Sequence, residues 1–128
     1  MFTKAELSYL QDEDRLARLA TVSANGMPHV TPVGMWRLDP DAGTVTIRGM
    51  NFAATKKFRD VAKTGRAAIV VDDVLPPWKP RGIELRGRAE AVDGDDPHIR
   101  IDIARIIAWG LDSDEIGVQN ARDVGTAA

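Results

Sequence analysis

The 128 residues contain no cysteine. That absence excludes disulfides, thiolate metal ligands and cysteine nucleophiles together, and it fits a reducing compartment. Histidine is scarce, with His29 and His98 alone, and their spacing matches no helical or finger-type metal motif. Ser8, Ser23 and Ser113 fall in a predicted helix, at a strand end and in the tail, with no elbow-type glycine pattern around them. No apolar run is long enough to cross a bilayer, and Met1–Ala5 lacks a basic-then-apolar leader pattern, so a cytoplasmic protein without a membrane partner is expected. Lys and Arg total 17 against 19 Asp and Glu, a net charge of −2, which leaves no excess of cations for a nucleic-acid backbone. Any anion site must be local.

The length suits one domain over residues 1–128, and 44% apolar with 28% charged residues is an ordinary soluble balance. Thr3 and Glu6 form a capping-box pattern, with Phe2 and Leu7 placed as a hydrophobic staple, predicting a short helix over 4–10. Residues 16–23 read as a strand, and Ala24-Asn25-Gly26-Met27 is a hairpin signal. A second strand is predicted over 29–36, with Pro28 and Pro32 implying an edge or a bulge. Asp39–Gly43 is turn chemistry, and residues 44–48 alternate as a third strand. Ala54, Phe58, Val61 and Ala62 recur at helical spacing, predicting a helix over 53–63 ended by Thr64-Gly65. Residues 67–71 form a buried-strand run, and Pro76, Pro77 and Pro80 stiffen a loop around Trp78. Over 82–92, Ile83, Leu85, Gly87, Ala89 and Ala91 share one face, while Glu84, Arg86, Arg88 and Glu90 share the other. The second set suggests a cross-strand salt network. Residues 99–109 read as a bent strand, and 113–128 as a loose tail. The sum is a mainly β fold: a six-stranded antiparallel barrel with one short N-terminal helix and one mid-chain helix.

The segment Thr55-Lys56-Lys57-Phe58-Arg59 opens the mid-chain helix. A helix start offers unpaired amides and a positive dipole end, here joined by a hydroxyl and three cations, which suits a phosphate monoester. The same cations also read as the solvated side of an amphipathic helix, and Lys63, nearly two turns on, lies outside the cluster. Trp78 reads either as the wall of a pocket or interface, or as a local cap on the barrel.

The runs RLARLATVSANGMPHVTPVGMW, TVTIRG, ATKKFRDVAKTGRAAIVVDD, RGIELRGRAEAV and IIAWGLD together resemble the pyridoxamine-phosphate-oxidase-like, FMN-binding split-barrel family. More narrowly they resemble its deazaflavin branch, the coenzyme F420-dependent oxidoreductases. The resemblance implies a six-stranded split barrel that forms a homodimer, with the cofactor in a groove between protomers. It implies that Thr55, Lys56 and Lys57, with Arg59 nearby, hold the cofactor phosphate. It places Thr31, Pro32 and Val33 against the isoalloxazine-like ring, with Arg48 ending the adjacent strand and Trp78 and Arg81 reaching in from the partner. The long basic and aromatic motifs that bind pyridoxal phosphate are missing after Val92, so that substrate is not expected. The implied activity is hydride transfer from reduced coenzyme F420 to a small unsaturated or conjugated acceptor, with no catalytic side chain, because the chemistry belongs to the cofactor. FMN in place of F420, or a non-enzymatic flavin- or haem-binding protein on the same fold, are the alternatives.

Overall fold

Two helices and eight strands follow one another along residues 1–125, the part of the chain that the computed structural model describes. The first helix, α1 (Lys4–Gln11), starts on the expected capping box: the Glu6 amide donates to Thr3 Oγ1 at 3.1 Å, and the Thr3 amide donates to Glu6 Oε1 at 2.9 Å. Then come β1 (Ala17–Val22), β2 (Pro28–Val33), β3 (Met35–Asp39) and β4 (Thr44–Arg48). A 3₁₀ turn over Phe52–Ala54 leads into α2 (Lys56–Thr64), followed by β5 (Arg66–Leu75), β6 (Lys79–Val92), β7 (His98–Trp109) and β8 (Gln119–Asp123).

All strands join one antiparallel sheet in the order β2-β1-β5-β6-β7-β4-β3, with β8 added on β7. β2 and β3 stand at opposite ends of that order, yet only Gly34 separates them in sequence. The sheet therefore curls until its two edges meet, giving a split barrel that closes through the chain rather than through hydrogen bonds. The mainly β split barrel with two helices stands as read from the sequence. Its strand count is eight rather than six. Gly34 divides the expected second strand in two, and the tail expected to be loose carries β8. Pro28 and Pro32 sit on β2, an edge strand where a missing donor is tolerated.

The inner face is an aliphatic core of Leu19, Ile47, Ile69, Ile83, Leu85, Ile99, Ile101 and Ile106. Phe52 and Phe58 pack on it edge to face, with ring centroids 5.9 Å apart. Glu6 is fully buried and accepts from Arg122 of β8 at 2.6 and 3.0 Å, so α1 and the last strand are held together by one charge pair. Among the described residues, no helix is long and apolar enough to cross a membrane.

The expected bend in residues 99–109 is a β-bulge in β7. Arg86 pairs with Arg105 and Gly87 with Ile103, which leaves Ala104 as the extra residue. Gly87 is required at this point, because a Cβ there would run into the Asp102 carbonyl oxygen. Gly87→Ala should accordingly lower unfolding free energy by about 3 kcal/mol, the upper end for overpacking. Gly34→Ala meets open space at an ordinary backbone angle and should stay within about 0.5 kcal/mol of the parent. Urea titrations of the two variants check this pair; equal midpoints would remove the bulge argument.

Candidate functional site

After β4 the chain reverses at Asn51, which adopts a left-handed conformation with φ of 50°, and runs through the 3₁₀ turn to Thr55. Thr55 is extended and serves as the N-cap of α2, accepting from the Phe58 amide at 3.4 Å and donating its hydroxyl to the Phe52 carbonyl at 2.7 Å. The helix therefore begins at Lys56, three residues later than periodicity predicted, because the apolar stripe runs on through the 3₁₀ turn. Lys56 and Lys57 become its first two residues. Their amides have no intrahelical partner and lie at the positive end of the helix dipole.

The three cations are not equivalent. Lys56 Nζ lies 3.0 and 3.2 Å from the carboxylate oxygens of Asp60, one turn on. Asp60 is buried and also accepts from Thr21 Oγ1 of β1 at 3.0 Å. Arg59 donates to the Ala54 carbonyl at 2.6 Å, folding back along the helix. Lys57 has no carboxylate in ion-pair range among the described residues, and its ammonium lies 5.4 Å from the centroid of Phe52. An open cleft of about 500 Å³ is lined by Lys56, Arg59, Asp60 and Lys63 on one side and by Ser23, Asn25 and Met27 of the β1–β2 hairpin on the other. Lys63, set apart by sequence spacing, shares this cleft.

The other predicted positions are scattered. Thr31 is half-buried on β2, Pro32 is exposed beside it, and Val33 is buried against the core. Arg48 is tied to Asp96 of the β6–β7 hairpin by two bonds of 2.9 and 2.8 Å. Trp78 is exposed at the tip of the β5–β6 hairpin. Arg81 donates twice to Asp73, at 2.7 and 3.0 Å, and stacks 4.9 Å from the Tyr9 ring. Burial, and then the bond to Asp73, push the Tyr9 hydroxyl well above its ordinary pKa. Neither Trp78 nor Arg81 lines the cleft. The expected salt network over 84–90 is partial: Arg86 meets Glu84 along its own strand, Glu90 meets Arg100 across to β7, and Arg88 joins neither pair.

Asp60, Thr21 and Lys63 were missed in the sequence. The Lys56–Asp60 spacing of four residues was a visible signal for a helical ion pair. Nothing in the linear order joins Thr21 to α2.

A sheet curled into a split barrel, with a cation-lined cleft beside the second helix, defines the split-barrel class of fold. Residues 3–124 match the pyridoxamine 5′-phosphate oxidase family, and the chain belongs to that family. It is 39% identical over 134 aligned positions to the 5a,11a-dehydrotetracycline/5a,11a-dehydrooxytetracycline reductase of Streptomyces rimosus subsp. rimosus, covering 96% of this chain and 93% of the relative. In fold it is similar to a heme binding protein from Mycobacterium smegmatis, with a TM-score of 0.70 at 17% identity, spanning 96% of this chain and 59% of that one. An FMN-binding protein from Syntrophomonas wolfei subsp. wolfei gives a TM-score of 0.65 at 16% identity, over 84% of this chain and 85% of that one.

Burial pushes the Asp60 carboxyl up, but the bonds from Lys56 and Thr21, with the charges of Lys56 and His29, outweigh it and hold the pKa below the ordinary aspartate value. A folded pKa below the unfolded one stabilises the native state above the unfolded pKa, of about 3.9 for aspartate, and that contribution is lost as pH falls through the folded value. Lys56→Met removes the lysine bond and charge and leaves the burial. Its acid unfolding, followed by circular dichroism, should begin at higher pH than the parent's. Coincident acid limbs would mean that Lys56 does not hold Asp60.

Proposed function

We propose that this protein is a reductase that holds a flavin-type cofactor by its phosphate at the start of α2 and serves hydride transfer to a small conjugated acceptor. The observation that carries the reading is the cationic first turn of α2: Lys57 has no carboxylate partner among the described residues and lies over Phe52, while Lys56 and Arg59 line the open cleft next to it. The two amides without an intrahelical partner, with Thr55 and the cations of Lys56 and Arg59, fit the donor set a phosphate needs. The identity to a reductase over nearly the whole of both chains supports the redox class.

FMN is the cofactor that the comparisons favour, through the similar fold of an FMN-binding protein. Coenzyme F420 is the second reading, favoured by the runs that resemble the deazaflavin branch. When reduced and bound, either supplies the hydride. The chain's own part is to bind and orient: Lys57 and the first-turn amides hold the phosphate, and Lys56 swaps part of its bond with Asp60 for the ligand. Thr31, Pro32 and Arg48 are the β-strand positions proposed near the ring. The lack of cysteine fits a cytoplasmic setting.

The reading includes a homodimer. Val74, Leu75 and Trp78 leave an exposed apolar tip on the β5–β6 hairpin, of the kind a twin covers, with Arg81 at its base. Sedimentation at micromolar concentration should show a dimer, and Trp78→Ser should weaken it by about 30-fold, the loss of an aromatic anchor worth about 2 kcal/mol. A monomeric parent would sink this part.

The cofactor test is titration of FMN and of F420, read by fluorescence quenching, beside the visible spectrum of the purified protein. Lys57→Ala should lose about 10- to 150-fold in affinity, or about 1.5–3 kcal/mol, for a charge-assisted bond. Lys56→Ala should lose less, since its ammonium already has a partner in Asp60. Lys79→Ala, at the hairpin tip, should match the parent. If Lys57→Ala behaves like Lys79→Ala, the phosphate does not sit at α2; a Soret-type band instead would favour haem.

A further inference from the structure

Four arginines rim an apolar trough on the outer face of the sheet. Register places Arg66 of β5 directly opposite Arg88 of β6, and Arg86 of β6 directly opposite Arg105 of β7. Like charges facing each other across a ladder destabilise it, and here two such pairs sit side by side. Carboxylates offset half of the cluster, since Arg86 lies 3.5 Å from Glu84 and Arg105 lies 2.8 Å from Asp123. Arg66 and Arg88 have no carboxylate in ion-pair range among the described residues. Between them runs a trough of about 640 Å³, floored by Ala20, Val22 and Ala68 and bordered by Asp123 where it meets Arg105, within the size range of small-molecule sites. The floor is low because its side chains are short. No residue lines both this trough and the cleft at α2.

We propose that this trough binds a planar anion, a flat conjugated compound carrying a carboxylate, at a site separate from the cleft at α2. Charge complementarity selects the occupant. A flat apolar body matches the alanine and valine floor, and a negative group relieves the opposed arginines at the rim. A neutral apolar ligand would leave Arg66 and Arg88 facing each other with nothing between them. Directly opposed charges that weaken the fold, kept beside an apolar floor, are what a site built for an anion looks like before it is filled. The binding of an anion here does not rest on the reductase reading above.

The test uses the full chain without added cofactor. The probe is anthraquinone-2-carboxylate, and its neutral counterpart is 2-(hydroxymethyl)anthraquinone, both titrated by quenching of tryptophan fluorescence. Arg66→Gln and Arg88→Gln should each weaken the carboxylate by about tenfold or more, the size of a charge-assisted bond, and change the alcohol by less than about twofold. Arg37→Gln, exposed on β3, should leave both unchanged. Because each substitution removes a like-charge opposition, the melting temperatures of Arg66→Gln and Arg88→Gln should equal or exceed the parent's. Equal loss for acid and alcohol, no loss for either, or lower melting temperatures in the arginine variants would overturn the proposal. So would dissociation of a dimer on substituting Arg66 or Arg88, which would make the trough a contact between copies. If the anthraquinone carboxylate binds as described while neither FMN nor F420 does, the flavin reading fails and the trough stands; the reverse result removes the trough alone.

Discussion

One residue, Gly34, joins β2 to β3, and these are the two edges of the sheet. A seven-strand path whose ends must come within one residue of each other cannot stay flat, so the curl follows from connectivity before any packing is considered. Curling buries the inner faces of β1, β4, β5, β6 and β7, which is why Leu19, Ile47, Ile69, Ile83 and Ile101 form one core although they come from five strands. It also turns the opposite face of β1, β5, β6 and β7 outward, where no element among the described residues closes over the trough. The helices pack where the barrel needs closing, and α2 lays Phe58 and Val61 against the core while its cations stay in water.

Charge is sorted by the same geometry. On the inner side, polar groups are few and fully partnered: Glu6 with Arg122, and Asp60 with Thr21 and Lys56. Burial of an ionised group is tolerated only with such partners, and these pairs link segments remote in sequence. Where burial stops, partnering becomes incomplete. Lys57 at the helix start, and Arg66 and Arg88 on the outer face, carry charge without a carboxylate among the described residues. Both candidate ligand surfaces carry such charges. Because the β1–β2 hairpin borders both, Met27 facing the cleft and Pro28 the trough, a change in that hairpin reaches each of them.

Local signals were legible wherever the determining forces are local. The capping box at Thr3 and Glu6, the αL stop at Gly65 and the alternation over Ile83–Ala91 all appear as expected, since each depends on residues a few positions apart. The start of α2 was misplaced because an apolar stripe cannot distinguish a 3₁₀ turn from the first turn of a helix. β8 was missed because Gln119–Asp123 buries almost nothing of its own; it is held by pairing to β7 and by Arg122 reaching Glu6. At the candidate site the cations of α2 were visible in order, whereas their inequality was not. Whether Lys56 or Lys57 is free depends on where Asp60 points, and Asp60 points where Thr21 of another strand receives it.

Alternation, capping residues and turn chemistry thus determined the elements and the mainly β class, because a residue's preference for strand or helix and the side it presents are set by its neighbours along the chain. Which strands become neighbours, which arginines face each other across a ladder and which lysine keeps an unpaired charge were decided by the tertiary structure alone. Those are relations between residues tens of positions apart, and they acquire an energy only once the sheet has curled and brought their side chains within a few ångströms.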